Sequence, residues 1–189
     1  MMSLVDTSQS AFPDLQTLVK LFYRQVSDLG DFDLVPGGGL PREYSHLLDH
    51  NHHMTVTLES HHGCPVEVEV LECESVADVY RRKILLRRQS DRHVVMFGIV
   101  QLHTRYLSKV VREEIESQQT PLGRVLIDHN VLRRVELGKL WKVVPNVELQ
   151  QHFQLNSARV TYGRTAVIHC NGEPAIELVE IVAPADGPA

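Results

Sequence analysis

Glu180 and Arg82 are the residues whose positions first suggest chemistry, because each interrupts an otherwise apolar row. In the stretch 162–184, two β-branched segments flank Asn171-Gly172, a dipeptide that favours a two-residue type I′ turn and hence a β-hairpin. With those two residues as the loop, Cys170 is expected opposite Glu173 and Ile168 opposite Ala175. Ile176, Leu178, Glu180 and Val182 then point one way. A carboxylate buried in such a row costs several kcal/mol unless it is paired or neutralised. Glu180 is therefore either a functional acid or a solvated residue of an edge strand. Glu173, Glu177 and Arg164 fall on the opposite, wetter face. In the stretch 79–87, Tyr80, Arg82, Ile84 and Leu86 share one face, and Arg81, Lys83 and Arg87 the other. Arg82 is the cationic counterpart of Glu180, unless its stem lies along the sheet and its head reaches water.

The remaining chemistry-bearing residues give weaker signals. Eleven histidines, with His50, His52 and His53 near His61 and His62, invite a metal reading. Zinc needs three or four ligands converging at about 2.0–2.3 Å, and no cysteine or acid joins these histidines in a familiar spacing. No metal is assigned. A role for His52 or His53 in lining a pocket beside Met54 fits better, and His169 reads as structural. The three cysteines, Cys64, Cys73 and Cys170, form no C-x-x-C pair and read as idle thiols in a reducing cytoplasm. Gly37-Gly38-Gly39 lacks the flanking strand, helix and Lys-Ser/Thr of a phosphate-binding loop.

The elements that must position these residues come from pattern. The 189 residues, 43% hydrophobic and 23% charged, fit one globular domain, 1–189, with 1–12 and 185–189 as flexible ends. The net charge of −5 gives no electrostatic case for nucleic acid. No window suggests a membrane span or a signal peptide, so a cytoplasmic location is expected. Helical spacing of Leu15, Leu18, Val19, Phe22 and Val26 predicts an amphipathic helix, and 34–41 reads as a loop. A short helix is expected over 41–50 and a strand over 54–59, with Met54, Val56 and Leu58 on one side. Val66, Val68 and Val70 alternate with glutamates as a half-buried strand, and 94–102 reads as a central strand. Thr104 is expected to cap a helix to about 118, with Leu107, Val110, Val111 and Ile115 inside. A second helix starts at Thr120 as N-cap with Pro121 in its first turn. The segment 131–154, broken by Pro145, reads as a flap. Strands grouped with helices between them predict an α+β fold with a single antiparallel sheet and helices mainly on one face.

Three stretches in order carry a resemblance: Tyr80-Arg81-Arg82-Lys83-Ile84-Leu85-Leu86, Thr120-Pro121-Leu122-Gly123-Arg124, and Tyr162-Gly163-Arg164 with Val179-Glu180-Ile181-Val182-Ala183-Pro184. Together they resemble the chorismate pyruvate-lyase family, whose fold is related to the UTRA effector-binding domain. The resemblance covers about residues 45–185. It implies removal of pyruvate from chorismate to give a hydroxybenzoate, 4-hydroxybenzoate foremost, without metal or organic cofactor. It also implies a pocket lined by Arg82, Leu122, Gly123, Glu180 and Met54, with Arg82 and Glu180 as the catalytic pair. Arg82 would hold a carboxylate of the substrate through its bidentate fork. The amides of Leu122 and Gly123 would add hydrogen bonds, and Glu180 would face the ring oxygen. Three departures bear on substrate: a longer segment between T-P-L-G-R and Y-G-R, Lys83 where the family commonly has glutamate, and a poorly matching N-terminal third. The alternative is a non-catalytic binding module for small aromatic acids, like the UTRA domain. Such modules normally follow a DNA-binding winged helix, for which this chain has no room. A diverged enzyme of a specialised-metabolite pathway would differ only in substrate.

Overall fold

The computed structural model describes residues 14–185. Of the expected flexible ends, 1–12 and 186–189 lie outside the described residues, whereas Ala185 is held by its N–H donating to the Tyr44 hydroxyl at 2.9 Å. Seven strands form one antiparallel sheet: β1 (Gly30–Val35), β2 (Val66–Val76), β3 (Val79–Arg88), β4 (Val94–His103), β5 (Arg133–Pro145), β6 (Thr161–Cys170) and β7 (Glu173–Val182), in the order β1-β5-β6-β7-β4-β3-β2. The sheet is thus two meanders, β2-β3-β4 and β5-β6-β7, joined where β4 pairs with β7. Both joining strands are covered on their two faces, which is why residues 94–100 are buried without interruption.

One face of the sheet carries α2 (Arg42–Leu48), α3 (Met54–His62), α4 (Lys109–Glu116) and α5 (Leu122–Asp128); α1 (Leu15–Val19) and α6 (Val147–His152) cover the other. Edge strand β2 is shielded by charge. Its Glu67, Glu69, Glu72 and Glu74 pair with Arg92, Arg87, Lys83 and Arg81, so the basic run on β3 answers an acidic neighbour and blunts an edge open to further strands.

Several expectations need correction. Residues 54–59 form the start of α3 and not a strand. Met54, Thr55 and Leu58 are buried while Val56 is 42% exposed, a helical and not an alternating pattern. Leu34 and Val35 belong to β1 and pair with Trp141 and Leu140. The first helix ends at Val19, with Val26 in a separate 3-10 turn. Thr104 opens a short 3-10 turn, whereas α4 is capped by Ser108, whose hydroxyl accepts from Val111 N; Val110 is exposed. Pro121, one residue later than expected, occupies the N-cap of α5. The segment read as a flap is β5 followed by α6, with Pro145 at the strand end and Asn146 capping the helix.

The closing hairpin forms, with Asn171 and Gly172 both at positive φ as a type I′ turn requires. Cys170 faces Glu173, but Ile168 faces Ile176 and not Ala175, because the register shifts next to His169. One extra residue on β7 slips the ladder, and the slip moves side chains of β6 to new partners. Arg164 thereby stands opposite Glu180. It is 1% exposed and shares the buried face of Glu180, not a wet one.

A buried ion pair and the cavity beside it

The pairing of β6 with β7 places Arg164 Nε 2.7 Å from Glu180 Oε2, where it donates a hydrogen bond. Glu180 is 8% exposed, so both charges sit in a low-dielectric setting where each needs the other. The rest of the guanidinium is spent on backbone and on the His50 ring, whose Nδ1 lies 3.3 Å from Nη1. Nη1 donates to His50 O at 2.9 Å and to Leu48 O at 3.4 Å, and Nη2 donates to His52 O at 3.1 Å. Arg164 therefore ties the linker between α2 and α3 down onto the sheet. That linker has no regular structure to satisfy its carbonyls, and a five-donor side chain supplies the missing partners.

Next to this pair lies a cavity between the sheet, the start of α3 and the start of α5. It is narrow, with a volume of about 30 Å³. Met54, Leu122, Val100, Ile168 and Leu178 give it apolar walls, and Glu180, Arg164, His52 and His53 its polar ones. Gly123 allows α5 to approach α3: a Cβ there would sit 3.0 Å from Thr55 Oγ1 and 3.3 Å from His53 Cβ. An apolar slot with a carboxylate at one edge suits a flat ring bearing a hydrogen-bond donor.

The sequence-derived site residues divide here. Met54, Leu122, Gly123 and Glu180 all line the cavity, as do both His52 and His53, whereas Arg82 does not. Arg82 lies on β3 between Tyr80 and Ile84, opposite Val100; Ile84 and Val100 are lining residues. It is 1% exposed. Its Nη1 donates to Ile115 O at 3.4 Å, near the C-terminal end of α4, where helix carbonyls favour a cation. No hydrogen bond of ordinary geometry reaches its Nε and Nη2 among the described residues, although the Tyr80 hydroxyl lies close enough to act on the guanidinium. Burial holds its pKa below the ordinary arginine value, with Tyr80 opposing the shift. Arg164, the charged residue nearest Glu180, was missed by sequence reasoning. Pro174 was the available signal: a proline in a strand that is not at the sheet edge marks a bulge.

The histidines serve the linker. Burial, then the Arg164 charge, lowers the pKa of His50 to about 4, although its Nε2 bond to Leu47 O opposes the shift. Burial, then Arg133 and Arg164, lowers His53 to about 4. Both are neutral at neutral pH. His46 and His61 touch, Nε2 to Nδ1 at 3.0 Å, but among the described residues no three histidines, cysteines or acids form a group able to hold a metal. His169 bonds Glu136 at 3.0 Å. Cys170 is buried, which pushes its thiol up to about 11 and keeps it protonated. Lys83 points to the other face of the sheet, where it pairs with Glu72 and Glu148, so this departure from the family pattern does not touch the cavity. No described helix is long and apolar enough to cross a membrane.

No protein-family model matches the chain, and no curated protein matches it. Solved structures do. PhnF from Mycobacterium smegmatis superposes with a TM-score of 0.54 at 11% identity over 69% of this chain, which spans 63% of the PhnF chain. The effector domain of PhnF gives 0.51 at 10% identity, covering 71% of this chain and 90% of that domain. The ligand-binding domain of a putative GntR-family transcriptional regulator from Bordetella bronchiseptica gives 0.49 at 15% identity, over 64% of this chain and 86% of that domain. At such identities the likeness is one of fold. The chain has the α+β fold of PhnF and its effector domain, built on a single antiparallel sheet.

Proposed function

We propose that this domain binds a small aromatic carboxylic acid in the cavity between α3, α5 and the sheet. The observation that carries the reading is a pair of charges on one buried face: Glu180 at the cavity edge, and Arg82 with two donors unpartnered. Arg82 aligns with Val100 and Leu178, and Glu180 with Gly98. Strand spacing and residue rise therefore put the two Cα atoms about 12 Å apart, a gap that one ring with a polar group at each end bridges once the side chains reach inward. A buried guanidinium without a counter-ion costs several kcal/mol, and a ligand carboxylate entering past Ile84 and Val100 relieves it with charge-assisted, bidentate bonds. Met54, Leu122 and Gly123 enclose the ring, and the Glu180 carboxylate, held by Arg164, accepts from a phenolic hydroxyl. No cofactor takes part in this reading. The effector-domain fold of the structural relatives supports ligand binding.

A second reading, chorismate pyruvate-lyase, is favoured by one observation: Met54, Leu122 and Glu180, which the family resemblance singles out, line one cavity. Against it, Glu180 Oε2 already accepts from Arg164 Nε at 2.7 Å, so that oxygen is occupied by a structural partner. Calorimetric titration with 4-hydroxybenzoate tests the first reading; folded protein that takes up no benzoate contradicts it. Incubation with chorismate, followed by assay for pyruvate, tests the second. Binding without pyruvate above the uncatalysed rate leaves a ligand-binding module.

A further inference from the structure

On the far side of His53 lies a second, wider opening of about 860 Å³ between the start of α3, the end of α5 and β5. His52, His53 and Val135 line both spaces, so the cavity and the groove share a wall one side chain thick. Arg133 holds that wall from outside. Its Nε donates to His53 Nε2 at 2.8 Å, and its Nη1 donates to Val131 O at 3.0 Å. Because His53 accepts on Nε2, its own proton is on Nδ1 and the ring is neutral.

The electrostatics of this latch are one-sided. Arg133 makes no ion pair among the described residues, and Glu136, the one carboxylate lining the groove, is taken by Arg134 at 2.8 Å and His169 at 3.0 Å. Arg133 is thus a half-buried cation at the mouth of a groove, bonded to a neutral imidazole nitrogen and a carbonyl. A carboxylate makes bonds to a guanidinium about twice as strong as a neutral acceptor does, so an arriving acid displaces His53 from Arg133.

We infer that this groove is the entrance to the cavity, that Arg133 captures the incoming anion, and that His53 is the gate it releases. The inference rests on the cavity being the ligand site. It gives the narrow cavity a route of filling that needs one side chain to turn and no helix to move. It also assigns Arg133 a role distinct from that of Arg82: Arg133 acts on the approach of the ligand, Arg82 on its final position.

Stopped-flow association and dissociation of 4-hydroxybenzoate test it. In the native protein the association rate falls as salt rises, because an exposed cation steers the anion, and Arg133→Gln flattens that dependence. His53→Ala raises both the association and the dissociation rates by about tenfold while Kd changes less than either rate, the signature of a gate and not of a lost contact. Val135→Ala, which thins the same wall from β5 without touching Arg133, raises both rates in the same way and serves if His53→Ala does not fold. Rates unchanged in both wall variants, or an unaltered salt dependence in Arg133→Gln, overturn the entrance while leaving equilibrium binding intact. Absence of equilibrium binding in the native protein overturns the cavity reading and this one with it.

Discussion

Replacing Arg164 and Glu180 by methionine, singly and together, isolates the interaction that organises the site. Arg164→Met leaves a carboxylate 8% exposed without its counter-ion and strips donors from the carbonyls of Leu48, His50 and His52. Breaking a buried pair from one side costs about 3–5 kcal/mol, and the orphaned carbonyls place this variant at the upper end. Glu180→Met leaves a buried guanidinium that keeps its backbone acceptors, for about 3 kcal/mol. If the residues acted independently the double variant would lose about 8 kcal/mol, enough to unfold many domains. As a unit they cost far less together, about 4–5 kcal/mol, because the double variant buries no unpaired charge. Urea unfolding reads this directly. With a slope of about 2 kcal/mol per molar, the double variant should lose no more midpoint than Arg164→Met alone. Losses that add to within about 0.5 kcal/mol would refute the pair as a buried unit.

Three further outcomes follow from the same geometry. Arg82→Met should leave stability unchanged or raise it by about 1–3 kcal/mol, since it replaces a buried, partly unsatisfied cation by an apolar side chain. The same change should weaken 4-hydroxybenzoate binding at least tenfold; a large loss of stability with intact binding would mean that Arg82 is structural. Gly163→Ala should cost about 2–4 kcal/mol, because its Cβ would sit 2.6 Å from the Glu180 carbonyl oxygen, and near-native thermal unfolding would contradict the slipped register of β6 and β7. Stability should also fall as the pH drops through the histidine range. His50 and His53 are held neutral in the fold down to about pH 4, whereas the unfolded chain protonates them near 6.5. The unfolded state therefore binds more protons between those values, and stability is full above about 6.5 and declines toward 4. The loss is on the order of 1 kcal/mol per histidine after allowing for solvent screening of these half-buried rings. Urea midpoints from pH 7.5 to 4.5 read it, and His50→Gln with His53→Gln should reduce the slope, leaving the share of His62, which burial also lowers to about 4.

The sequence made the sheet legible where one periodicity ran for many residues. The alternations of β2 and β3 and the Asn171-Gly172 turn each have one physical solution, and Tyr80, Arg82, Ile84 and Leu86 do share a buried face. Short apolar runs were ambiguous. Met54, Val56 and Leu58 fit a strand of five residues as well as a helix, and contact of Leu58 with the core decided for the helix. The candidate site was legible only in part, because a single extra residue near Ala175 moved Arg164 from the expected wet face to the partner position of Glu180. An alternation argument carries side-chain direction faithfully only until a bulge. The wall formed by His53 and Arg133 was beyond local pattern altogether, since those residues are 80 positions apart and meet only where the N-cap of α3 reaches the start of β5.

The most direct measurement of the central claim uses the methionines. Of the four in the chain, Met1, Met2, Met54 and Met96, Met54 and Met96 line the cavity and the other two precede the described residues. In protein labelled at the methionine methyls, titration with 4-hydroxybenzoate should move the Met54 and Met96 resonances together and saturably, through the ring current of a bound aromatic, with the other signals fixed. Folded protein whose Met54 and Met96 signals stay in place at millimolar ligand would contradict a binding site in this cavity.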